Sequence, residues 1–217
     1  MAIGEHILAI KSTEMVHGHA EALLPLIDEV VRAARQRPAE LDAVAVTIGP
    51  GSFTGIRVGL AAAQGIALAA GALLFGVTRF AAFADIAAPA MDGRRALLVA
   101  LESRRAELFV QLFGPGGQPL CEPGAVLPPD LSAFLAPWLP AAEPGLDVTG
   151  DAAARAIAGL ALPAPRVIAP PLPPVAGVLR MALRQWRRGD APAAPRPLYL
   201  RPPDVTVAGR RTTAGGR

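Results

Sequence analysis

Residues 43–77, AVAVTIGPGSFTGIRVGLAAAQGIALAAGALLFGV, leave few folds open to this chain. Val44, Val46 and Ile48 alternate in a short apolar run that stops at Gly49-Pro50-Gly51, the pattern of a buried strand entering a tight bend. Ser52 or Thr54 is placed to cap a helix that begins there. Gly71 is a natural helix stop, and Leu73 to Val77 reads as a second strand. This order predicts a parallel crossover inside an α/β sheet. Along the helix Gly55, Gly59, Ala63, Ala67 and Gly71 recur every fourth residue, lining one face with minimal side chains so that another backbone can come close.

Val58 to Val77 carries no charge and is flanked by Arg57 and Arg79, so its length alone suits a membrane span. Its Ala and Gly content gains little from lipid, and Gly71 divides it. The reading is therefore a helix and a strand of an α/β protein. The bend raises a second question, because N–H groups at a helix start attract anions. No Gly-Lys-Ser/Thr follows Gly51, and the segment is not GxGxxG. Gly49, Gly51, Ser52, Thr54, Gly55 and Arg57 thus form either an anion or nucleotide loop or an ordinary strand-to-helix turn.

Gly49-Pro50-Gly51-Ser52-Phe53-Thr54-Gly55-Ile56-Arg57-Val58-Gly59 resembles the signature of the TsaB (YeaZ) family, bacterial proteins needed to make threonylcarbamoyladenosine in tRNA. Further matches are His19-Ala20-Glu21-Ala22-Leu23-Leu24-Pro25-Leu26-Ile27, Val99-Ala100-Leu101-Glu102-Ser103-Arg104-Arg105 and Pro197-Leu198-Tyr199-Leu200-Arg201-Pro202-Pro203. The resemblance implies an actin/Hsp70-like (ribonuclease H-like) α/β fold of two subdomains, with the boundaries expected at 1–95 and 96–203 before a basic, flexible tail over 204–217. It also implies a non-catalytic scaffold that dimerises alone and binds its catalytic paralogue TsaD. The TsaE ATPase, ATP and tRNA enter at the level of the complex, next to the anticodon. The pairing surface expected from the resemblance joins Leu23, Ile27 and Val31 to Gly55, Gly59, Ala63 and Ala67.

The amino end departs from the family. Ile7 to Ile10 fits its first strand, but Lys11 stands where the family has an aspartate, and the hairpin that should follow is missing before the His19 helix. A shortened first sheet with an unpaired edge is expected. The rival function is a nucleotide-binding ATPase or kinase-like protein using the 49–57 loop.

The rest of the chain yields mostly exclusions. Cys121 is the only cysteine, which rules out an internal disulfide, and residues 1–20 show no signal-peptide core. Both fit a cytoplasmic protein. Residues 180–217 hold nine Arg against Asp190 and Asp204, leaving the first 179 residues at about −4, so the basic end suits either RNA phosphates or plain solvent. His17 and His19 are spaced His-x-His, unlike a zinc helix, and no serine sits in a nucleophile elbow. No metal ligand and no catalytic residue is nominated. Amphipathic helices are expected through Leu23, Ile27, Val30, Val31 and Ala34 with Pro25 in the first turn, and over 130–139, 151–160 and 175–188, and strands over 96–101, 107–113 and 147–150. The proline-rich 163–174 segment reads as an extended connection.

Overall fold

The computed structural model describes residues 1–13, 15, 18–139, 145–161, 165–169, 174–189, 192 and 194–201. His17, residues 163, 164 and 170–173 of the 163–174 connection, and the 204–217 tail lie outside them.

At the amino end a small hairpin replaces the single strand expected over Ile7 to Ile10. β1 (Ala2–Ile3) pairs antiparallel with β2 (His6–Ile7) around Gly4, whose φ is 56°. Leu8 and Ala9 then donate their amides to the Met1 carbonyl, so this segment satisfies its backbone within itself. Helix α1 (His19–Ala33) follows from a left-handed Gly18, and Lys11 ion-pairs with its Glu29. Pro25 sits in the second turn of α1, not the first, because Gly18 starts the helix early.

β3 (Ala43–Thr47), α2 (Phe53–Ala70) and β4 (Leu73–Val77) form the expected parallel crossover, in register from Ala43 opposite Leu73 to Thr47 opposite Val77. Ser52 caps α2, accepting from the Gly55 amide, and Gly71 ends it at φ 65°. Leu73 donates to the Asp42 carbonyl and Ile48 to that of Val77. The intervening Ala43, Ala45 and Thr47 therefore turn their backbone groups to the outer edge of a sheet only two strands wide.

The next elements build a larger sheet. α3 (Arg79–Ala87) leads to β5 (Ala96–Glu102), β6 (Leu108–Phe113), β7 (Gly124–Val126), α4 (Leu131–Leu135), β8 (Leu146–Thr149), α5 (Ala153–Gly159) and β9 (Arg166–Val167). Their strand order is β7-β6-β5-β8-β9, with β5 antiparallel to β6 and parallel to β8. α6 (Pro174–Arg187) then returns to the first sheet. The helices expected over 130–139 and 151–160 shrink to α4 and α5. Pro128 and Pro129 hold the first residues of the former in a 3-10 turn.

The layers run helix, sheet, helix, sheet, helix. Ile56, Leu60 and Ala63 of α2 cover Val46 on one face of β3–β4, while Phe75 and Val77 face Ala82 of α3 and Val178 and Ala182 of α6. Phe80, Phe83 and Ile86 of α3 reach the other way, onto Leu97, Val99 and Leu101 of β5. Leu98 and Ala100 point to the far face, under Leu131 of α4 and Ala156 of α5. β5 is thus buried on both faces, which explains its unbroken apolar run. α3 and α6 cross so closely that a Cβ on Gly177 would lie 2.2 Å from the Ala82 carbonyl oxygen.

Candidate functional site

Sequence places the candidate loop between β3 and α2, and the fold sets a strap across it. Leu198 donates to the Ile48 carbonyl at 2.7 Å, and a Cβ on residue 49 would stand 2.6 Å from the Leu198 carbonyl oxygen. With φ 119°, Gly49 is demanded by this approach. Its own carbonyl accepts from the Arg79 amide at 2.7 Å. Ser52 is engaged in its cap, and a Cβ on Gly55 would meet the Ser52 Oγ at 2.6 Å. Gly51 and Thr54 are exposed, and a Cβ on Gly51 would make only ordinary contact with Ile56 at 3.7 Å. The Arg57 guanidinium lies 3.6 Å over the Phe53 ring and donates from Nε to Tyr199 Oη at 3.2 Å. Tyr199 and Phe53 are themselves tilted rings 5.0 Å apart.

Facing this loop is a rim of ion pairs. Arg79 Nη2 meets Asp151 Oδ2 at 2.9 Å, and the other Asp151 oxygen accepts from the Glu102 amide at 2.8 Å. Arg155 pairs with Glu102 and also donates to the carbonyls of Arg105 and Ala106. Arg201 pairs with Glu107 at 2.6 Å and donates to the Ser103 carbonyl at 3.2 Å. A backbone N–H bond of its own, then the Arg201 and Arg105 guanidiniums, hold the Glu107 carboxyl below the usual glutamate range. Arg104, at the tip of this turn, is exposed with φ 61°.

The polar side chains gathered here are engaged with one another. The Ser103 hydroxyl donates to the Glu107 carbonyl at 2.6 Å, and the rim carboxylates of Glu102, Glu107 and Asp151 are each taken by an arginine. Burial pushes the Cys121 thiol up, away from reactivity. His6 is exposed on β2, and the described residues hold no group of side chains able to bind a metal ion. Sequence reading missed the rim because Arg57 and Tyr199 are 142 positions apart, and no local spacing marks Arg79, Asp151 or Arg155 as neighbours.

The expected pairing surface divides. Leu23 and Ile27 are half-buried and Val31 is buried. Gly55 is exposed, but Gly59 faces Val46 and both Ala63 and Ala67 are buried, so the small-residue ladder lies largely against the chain's own strand. The outward face of α2 is instead Ala61, Gly65 and Leu68, the last 86% exposed, and Leu24 of α1 is 60% exposed. α2 is long and apolar enough to cross a membrane by length and composition, yet one face packs on β3 and β4. Leu68 was legible as the residue beside the ladder, one helical step round from Ala67.

Comparison with known proteins agrees with this architecture. A family model described as TsaD, tRNA N6-adenosine threonylcarbamoyltransferase, matches residues 8–127. An uncharacterized protein of Mycobacterium tuberculosis strain H37Rv is 30% identical over 201 residues, 92% of this chain and 82% of that protein. The Escherichia coli tRNA threonylcarbamoyladenosine biosynthesis protein TsaB is 32% identical over 91 residues, 42% of this chain and 39% of that protein, so the match spans well under two thirds of it. Among solved structures, YeaZ from Pseudomonas aeruginosa superposes with a TM-score of 0.67 at 26% identity, covering 86% of this chain and 87% of that one. A second, an uncharacterized protein with similarity to peptidase YEAZ from Pseudomonas aeruginosa, gives 0.69 at 25% identity over 85% of both chains.

Proposed function

The chain belongs to the TsaB (YeaZ) family, and from that premise we propose that it is a non-catalytic scaffold for forming N6-threonylcarbamoyladenosine in tRNA. Its mixed α/β fold is of the actin and ribonuclease H type. In this reading it pairs with a second copy when alone and with TsaD in the working complex, which the TsaE ATPase joins together with ATP. It acts on tRNA in the cytoplasm through that complex and contributes no reacting group.

The observation that carries the reading is the outward face of α2. From Val58 to Ala70 it has no charge, and it leaves Leu68 in water, while the neighbouring helix α1 leaves Leu24 exposed. Covering two such leucines is worth roughly 1.5–3 kcal/mol each, enough to matter in an interface. The engaged serines and carboxylates around the 49–57 loop support binding over catalysis.

The test is reconstituted modification of unmodified tRNA by TsaD, with and without this chain. The reading expects modification to depend on both proteins and none from this chain in the absence of TsaD. Transfer by this chain alone, or a TsaD rate indifferent to it, overturns the reading.

A further inference from the structure

We propose that the arginine rim facing the 49–57 loop binds the phosphates of single-stranded RNA directly, with a base stacked on the Tyr199, Phe53 and Arg57 cluster. This rests on the tRNA reading above and gives the chain its own contact with the nucleic acid.

Six guanidiniums, those of Arg57, Arg79, Arg104, Arg105, Arg155 and Arg201, gather here against the carboxylates of Glu102, Glu107 and Asp151. The three acids are taken by Arg155, Arg201 and Arg79. The surplus is positive, and Arg104 within it is exposed. It makes no hydrogen bond or ion pair with the described residues and holds a left-handed backbone at φ 61°, which costs a non-glycine residue on the order of 1 kcal/mol. That conformation belongs to the hairpin turn between β5 and β6, which presents the Arg104 side chain to solvent.

The aromatic part is supplied by the strap. Tyr199 is 38% exposed, and it lies two residues from Arg201 on one extended segment, so a stacking surface and a phosphate-binding rim are contiguous. Unstacked RNA bases settle on aromatic rings and on guanidinium planes, while arginines track the phosphates. A mononucleotide is less suited. The Leu198 carbonyl covers Gly49, and the cations are spread over α2, the start of α3, the 103–105 turn, α5 and the strap, as a line of phosphates requires.

The experiment is fluorescence anisotropy of a labelled, unmodified tRNA transcript titrated with the whole chain at low and high salt. Binding that weakens steeply with salt is expected, unaffected by competing ATP. Arg104→Gly, which removes the guanidinium and suits the positive φ, is expected to weaken it by roughly three- to tenfold without lowering the melting temperature. Tyr199→Ala is expected to weaken it roughly tenfold. No binding, displacement by ATP, or affinity unchanged in Arg104→Gly overturns the proposal. Light scattering of the same proteins with TsaD reads the scaffold role separately, so failure of either is told from failure of the other.

Discussion

Asp85 of α3 and Arg180 of α6 meet inside the helical layer between the sheets, Oδ2 to Nε at 2.6 Å, with the carboxylate side chain 1% exposed. Arg180 Nη2 also donates to the Asp85 carbonyl at 3.1 Å, and Arg184 approaches Oδ1 as an ion pair outside hydrogen-bond geometry. Removing the acid strands a half-buried cation at the crossing of the two helices. Asp85→Ala is expected to cost about 3–5 kcal/mol in urea unfolding. Arg184→Ala, from the more exposed partner, is expected to cost less than about 1 kcal/mol. Equal losses would mean that the pair does not tie α3 to α6.

The two outer glycines of the Gly49-Pro50-Gly51 bend should separate structural demand from ligand contact. Gly49→Ala forces a side chain against the Leu198 carbonyl at φ 119° and is expected to destabilise by on the order of 2 kcal/mol or more. Gly51→Ala meets only ordinary contact and should stay within about 0.5 kcal/mol. Thermal melts check both. An isolated chain that binds a nucleotide and loses it in Gly51→Ala would favour the ATPase or kinase-like rival.

Acid should loosen the rim in a defined direction. Glu107 is depressed below the ordinary 4.5, so its contribution is fully present above that value and is lost as pH falls through its lower folded value. Melting temperatures of wild type and Glu107→Gln should differ by a constant amount at neutral pH. The gap should close on acidification below 4.5. A gap that closes only above that pH would contradict the assignment.

Sequence carried the β3, α2, β4 unit because each boundary is chemical: alternation in Val44, Val46 and Ile48, the Ser52 cap, the Gly71 stop. β5 was legible as an apolar run, since helices cover both its faces. β7 and β9, three and two residues long, are too short to show a period. The hairpin at the amino end depends on the positive φ of Gly4 and on bonds to Met1, which no pattern announces. The small-residue ladder told how closely α2 could be approached but not by what. In the fold the neighbour is Val46 of the chain's own strand. The rim was hidden for a simpler reason, being assembled from segments as distant as Arg57 and Tyr199.

Pairing through α2 is the central claim, and light scattering on size-exclusion fractions tests it most directly. The wild-type chain alone should run as a dimer and, mixed with TsaD from the same organism, as a mixed complex. Leu68→Glu places a charge on an 86% exposed position, so it should fold with stability within about 0.5 kcal/mol of wild type, yet run as a monomer and ignore TsaD. A folded Leu68→Glu protein that still dimerises and still joins TsaD would contradict the account.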